Sequence, residues 1–349
     1  MLDYQFDSDP GLHTALSLSV VKMPNSPGFR KPLMAIELPR YSIGVSMTDK
    51  PRRAETEAYW AAGVTGTGSR RAGHRCASDT RTTAQIISAY IASQNNEDAT
   101  NSLLTVHYRG GQEEFQFGMK LLGSADPRER AVGADVLAQL GWQDKTFLDE
   151  SVDALLGALT DPQDSVVESA IFALGHRGSP RAIDALLPFA NHPTADLRYA
   201  AVHGLMPHDT PRVVEAMIIL SRDSDPDVRN WATFTLASQF ESDSPTIRSA
   251  LEERLTESDP EIRGEALLGL ARRQHRSIAS QILRELQGEF QGDWAVEAAG
   301  LLGDLQFIPA LRELEQRITG ESAIYFLGTI RAAIAACEGR RADENSTLQ

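Results

Sequence analysis

From about residue 97 onward, apolar residues come in short clusters spaced three and four apart, and each cluster is introduced by the same kind of turn. Asp126-Pro127 leads into Ala131-Val132-Gly133-Ala134, Asp161-Pro162 through Val166 into Ala170-Ile171-Phe172, and His192-Pro193 through Leu197-Arg198 into Ala201-Val202-His203. Asp225-Pro226 leads into Ala232-Thr233-Phe234, and Asp259-Pro260 into Ala266-Leu267-Leu268. A spacing of three and four is the helical period. An Asp followed by Pro marks a helix start, because the carboxylate caps free N–H groups and Pro at the first turn forfeits no hydrogen bond. Gly175, Gly178, Gly269 and Gly303 fall at predicted helix ends or tight joints. No alternating strand pattern competes.

Behind each of these helices lies a second one, read from Ile183-Asp184-Ala185-Leu186-Leu187, Val213-Val214-Glu215-Ala216-Met217, Ile247 to Leu255, Ile278 to Leu286 and Ile308 to Leu314. The equivalent positions Arg130, Val167, Arg198, Arg229 and Arg263 are 37, 31, 31 and 34 residues apart. A degenerate sixth copy without Asp-Pro runs from Trp294 to Gly303-Asp304. The unit is a helix–turn–helix, and one such pair cannot bury its apolar stripe alone. Neighbours must stack into a quasi-one-dimensional solenoid. The prediction is an all-α superhelix of about seven helix pairs, preceded by a poorly ordered N-terminal segment.

Asp-Pro-x-Val-Arg-x-x-Ala followed by a second helix such as Ser179-Pro180-Arg181-Ala182-Ile183 or Phe307-Ile308-Pro309-Ala310-Leu311 resembles a HEAT repeat, in the short form called PBS-lyase HEAT-like. The resemblance spans roughly residues 97–338 and implies an armadillo-like α-solenoid. It is unspecific for function, because such repeats serve scaffolds, lyase subunits and a few enzymes.

The expected organisation follows. Residues 1–80, rich in Pro, Gly, Ser and Arg with no sustained period, read as disordered or as sequence upstream of a true start such as Met47. Residues 81–96 hold a possible lead-in helix. Residues 97–338 form the solenoid, beginning with a pair over Glu97–Arg109 and Gln112–Leu122 and closing with a helix over Ala323–Cys337. Residues 339–349 are a polar tail. Glycines at 63, 66 and 68 lack the Lys-Ser/Thr and the preceding strand of a phosphate loop.

Charge narrows the partner. The 349 residues carry a net charge of −14. Residues 1–80 hold 10 basic against 8 acidic side chains (+2), which leaves 24 against 40 (−16) for the rest. An acidic body repels phosphate backbones and disfavours nucleic acid. Two cysteines, Cys76 and Cys337, exclude a disulfide framework and a multi-cysteine zinc module. No stretch approaches the roughly 18 apolar residues of a membrane span. The first residues show no basic flank ahead of an apolar run, so a cytoplasmic setting is expected.

Candidate chemistry is sparse, and no catalytic, cofactor or metal residue is assigned. The HEAT-like deoxyhypusine hydroxylases hold two irons through His-Glu dipeptides, and this sequence has none. His176, His203 and His208 lie in adjacent repeats and could converge with Glu168 or Asp209 on a metal. The HEAT-like alkylpurine DNA glycosylases use Trp, Asp and Arg in a basic cleft. Trp231, Trp294, Asp293 and Arg229 match by type, but the second helices are acidic. The phycobilin lyases are a third precedent, with nothing here specifying a tetrapyrrole. Arg198, Arg229 and Arg263 resemble the arginine ladder that bonds neighbouring repeats, with Asp225, Asp227 and Asp259 as partners. The first-helix wheel carries the one suggestive binding feature. Phe172 lies about 200° from the core position Ala170, at roughly 100° per residue. With its equivalents His203, Phe234 and Leu268 it would form a stripe on the outer surface near Tyr199. That stripe is read either as a partner-binding site or as filling between neighbouring first helices. The favoured role is a non-catalytic protein-interaction scaffold or adaptor, the alternative an enzyme or lyase subunit.

Overall fold

The structure is a computed structural model that describes residues 79–92, 96–141, 145–288, 293–318 and 324–346. The expectations for residues 1–78, disorder and a later start among them, fall outside the described residues. Every regular element described is helical. A lead-in helix α1 (Thr83–Ala92) precedes seven pairs. The first helices of the pairs are α2 (Asn96–Arg109), α4 (Pro127–Ala138), α6 (Asp164–Arg177), α8 (Ala195–Leu205), α10 (Pro226–Phe234), α12 (Pro260–Arg272) and α14 (Asp293–Leu302). The second helices are α3 (Gln112–Leu122), α5 (Leu148–Ala158), α7 (Ile183–Leu186), α9 (Pro211–Leu220), α11 (Pro245–Arg254), α13 (Ala279–Gln287) and α15 (Ile308–Arg317). The closing helix α16 (Ile324–Ser346) continues beyond Cys337, the last apolar residue of its buried face.

First helices pack on first helices in an unbroken series from α4 to α16, and second helices lean on the first helix of the following pair. One buried apolar cluster therefore runs from Ile86 to Cys337. Each repeat contributes a slice of that core, and no slice is complete without its neighbours.

The turns work as their chemistry predicts. Asp126 accepts from the Arg128 N–H at 2.9 Å, Asp225 from Asp227 and Val228, and Asp259 from Glu261. Where Asp is replaced by His192, its Nδ1 takes the Thr194 N–H at 3.2 Å. Gly178 and Gly303 end helices with φ of +61°. Gly175 serves close packing instead. A Cβ there would stand 2.7 Å from the His203 carbonyl oxygen, so its absence lets α6 and α8 approach each other.

The pattern did not foretell two local departures. The second helix of the third pair is broken by Pro188 into short turns on either side of α7. Helix α10 ends in a widened turn over Thr235–Gln239, where the Thr233 and Thr235 hydroxyls bond back to the Arg229 and Trp231 carbonyls.

Candidate interaction surface

The predicted stripe forms, but it is inside the protein. Phe172, Tyr199, Phe234 and Leu268 are 8%, 6%, 5% and 3% exposed, and His203 is half-buried. This corrects the expectation of an outer surface. A side chain turned about 200° from the core of its own pair points at the first helix of the next pair, because stacked helices lie roughly 8–10 Å apart. The His203 ring is enclosed by Trp231 at 4.6 Å, Tyr199 at 4.7 Å and Phe172 at 5.2 Å between ring centres. Phe234 extends the row against Trp231 at 5.6 Å. The aromatic seam joins α6, α8 and α10.

The seam is continued by buried acids that sequence reasoning missed. Asp135 holds the stripe position in α4 and accepts the Tyr90 hydroxyl of α1 at 2.8 Å. Burial pushes its carboxyl well above the usual range, and raises the Tyr90 phenol likewise. Glu265 in α12 accepts from Ser238 and from the Trp294 indole, both at 3.3 Å. The one sequence signal was at Asp135, a carboxylate at a register position that the other repeats fill with rings or Leu.

The arginine ladder is present with different partners. Arg130 grips Asp161 with Nε at 2.6 Å and a terminal nitrogen at 2.9 Å, and Arg198 grips Asp223 at 2.6 and 2.8 Å. Arg229 meets Glu257 at 3.5 Å and Arg263 meets Glu285 at 3.2 Å. In every case the remaining terminal nitrogen donates to the carbonyls five and six residues earlier, in the turn before the helix. Asp225 and Asp259, expected as partners, cap their own helices instead. The acids that pair stand at or just before the following turn or in the second helix. Val167 breaks the ladder.

A further set of cations ties the loops together and was invisible to the helix pattern. Arg177 is buried and donates to the carbonyls of Leu140, Lys145 and Thr146 at 2.7–2.9 Å. Burial lowers its pKa to about 10. Arg273 makes the same reach to Leu236, Phe240 and Ser242. His107 lies against the Gln139 carbonyl at 2.9 Å, and burial with the Arg177 charge lowers it to about 4.

None of the catalytic constellations considered above assembles among the described residues. No three of His, Cys, Asp and Glu come together in a way that could hold a metal, so His176, His203 and His208 do not converge on one. Trp231 and Trp294 are buried in the stack and Arg229 is spent in the ladder, so no glycosylase-like cleft forms from them. No described helix is long and apolar enough to cross a membrane.

The opposite side, built by the second helices, is exposed and charged. Arg181 bridges to Asp149 and Asp153, Arg212 to Asp184, and Arg222 to Glu253, each across a repeat boundary. Glu150, Glu215 and Glu313 stand exposed on the same helices, and Ile219 is 51% exposed beside them. Near its middle a groove of about 450 Å³ is lined by Asp243, Ser244, Pro245, Arg248, Ser249, Glu252 and His275. There the His275 Nε2 and a Glu252 oxygen are 2.6 Å apart.

Comparison with known proteins agrees with this architecture. The model of the HEAT repeats family matches residues 117–206 and 213–293. Protein YibA of Escherichia coli K12 is 27% identical over 225 residues, covering 62% of this chain and 79% of YibA. The X-ray structure of Escherichia coli YibA superposes with a TM-score of 0.58 at 24% identity, over 76% of this chain and 95% of that one. The complex of CpcE and CpcF of phycocyanin lyase from Nostoc sp. PCC7120 gives 0.36 at 23% identity, over 44% of this chain and 96% of that one, too distant to carry an argument. With its Asp-Pro turns, stacked first helices and arginine ladder, the chain is built of HEAT repeats over the residues that the family model matches.

Proposed function

We propose that this chain is a non-catalytic scaffold or adaptor that holds another protein on the face built by its second helices. One observation carries the reading. The groups Asp135, His107, Arg177 and Arg273, all with shifted pKa values, sit in joints between helices, while the second helices from α5 to α15 present a row of exposed charged side chains. A stacked array of this kind offers an extended surface with no further folding step. Acids outnumber arginines among its exposed residues, which favours a partner with a basic face in the cytoplasm and repels phosphate backbones.

The test is affinity capture from native lysate with the full chain as bait, repeated with Glu150→Lys, Glu215→Lys and Glu313→Lys combined. The expected result is a saturable partner that the triple variant loses while its helical circular dichroism is unchanged. Capture untouched by the substitutions would overturn the assignment of the face. The second reading, an enzyme or lyase subunit, rests on the His275–Glu252 contact in the groove beside Ser249. Stoichiometric bound metal or a turnover lost in His275→Gln would favour it.

A further inference from the structure

In two of the repeats, the residue ten positions after the ladder position fastens its first helix to the loop of the pair before it. Arg177 follows Val167 by ten residues, Arg273 follows Arg263, and His208 follows Arg198. The two arginines each bond at least three carbonyls of the preceding loop. His208 is 7% exposed, and its buried Nε2 has no hydrogen-bond partner among the described residues.

Loop length explains the difference. Arg177 reaches the loop between α4 and α5, and Arg273 the loop that leads into α11, both long enough to turn several carbonyls inward. Ahead of His208, only Gly178 and Ser179 separate α6 from the turn at Pro180. The Arg177 carbonyl beside them is already taken by the Lys145 ammonium at 2.7 Å. The buried Nε2 of His208 therefore meets no acceptor within hydrogen-bond distance.

We propose that His208 is an acid-released clasp: protonating its ring places a cation in a joint where its Nε2 meets no acceptor, beside Lys145, and opens the solenoid between the third and fourth pairs before the rest unfolds. The charged groups around it do not offset that cation. Lys145, from the loop before α5, is like-charged. Arg177, at the end of α6, has its guanidinium turned to the carbonyls of Leu140, Lys145 and Thr146. Asp209, on His208's own loop, is committed to the Glu241 and Ser242 N–H groups at 2.9 Å and the Ser242 hydroxyl at 2.5 Å. Burial first, and then the Lys145 charge, hold the ring below its ordinary 6.5. In the opened joint the ring regains the ordinary value, so acid favours opening. Because each repeat touches only its neighbours, one joint can open while both flanks stay folded.

The test is native-state hydrogen exchange on the full chain between about pH 7.5 and about pH 5, read as protection factors. Below 6.5, the opening constant of the Met206, His208 and Thr210 amides should rise by up to about tenfold per pH unit, until the folded ring titrates. Amides 269–273, in the Arg273 joint, should stay protected. His208→Gln should abolish the local rise and His107→Gln should leave it. A rise that persists in His208→Gln, or one uniform along the chain, would overturn the proposal. Should His208→Gln fail to fold, NMR titration of the wild-type imidazole decides: a His208 midpoint below 6.5 supports the clasp, and one at or above 6.5 overturns it.

Discussion

The two sides of the solenoid are built from the same residue types and hold them in opposite ways. On the first-helix side, rings, carboxylates and guanidinium groups are buried between neighbouring repeats, where each polar atom is costly unless partnered. On the second-helix side, similar charges cross the same repeat boundaries in water, where an ion pair contributes little. Arg198 to Asp223 and Arg212 to Asp184 are both Arg–Asp contacts between repeats, yet the first pair is largely buried and the second largely exposed. The first-helix side thus determines stability, and the second-helix side tolerates substitution at little cost.

That contrast can be broken at several points. The largest effect is expected from Phe172→Ser, which removes a ring from the His203 cage and leaves a hydroxyl in an apolar gap. A loss of about 3–5 kcal/mol in urea unfolding is expected. A fully stable variant that instead lost a partner would return the stripe to the role of binding site. Arg198→Ala comes next, at about 3 kcal/mol, because Asp223 would be left buried without its cation. A cost under about 0.5 kcal/mol would show the ladder to be no stronger than a surface pair.

The acid and base limits sharpen the same comparison. The folded pKa of His107 is depressed to about 4, so its contribution to stability is full above 6.5 and falls as pH drops towards 4. The slope is at most about 1.4 kcal/mol per pH unit, and His107→Gln should flatten it in thermal melts. Asp135 has the opposite sign. Its carboxyl is raised, so the folded state holds a proton that the unfolded state has released, and stability declines as pH rises. Asp135→Asn should match wild type in mild acid and exceed it at neutral pH. The smallest effect belongs to Asp184→Ala, which removes the exposed contact to Arg212 and should change stability by no more than about 0.5 kcal/mol.

The repeat, the caps and the helix pairs were legible because each depends on neighbours in sequence: Asp225 caps N–H groups two and three residues on, and Pro226 has its φ set by its own ring. The stripe was half legible. The wheel aligned Phe172 with His203, Phe234 and Leu268, but it refers to one helix at a time and cannot see the next first helix closing over them. The ladder arginines were read correctly as joints and given wrong partners, since choosing between Asp223 and Asp225 requires knowing which carboxylate is left after capping. Arg177 and Asp135 went unnoticed because a single buried charge leaves no period.

What the sequence alone determined is therefore the local grammar: where helices begin and end, that they come in pairs, and that the pairs must stack. The tertiary structure decided which face is left to water. Burial belongs to the distance between helices far apart in the chain, and the same Phe, Asp or Arg is core or surface according to whether the neighbouring repeat comes within van der Waals reach.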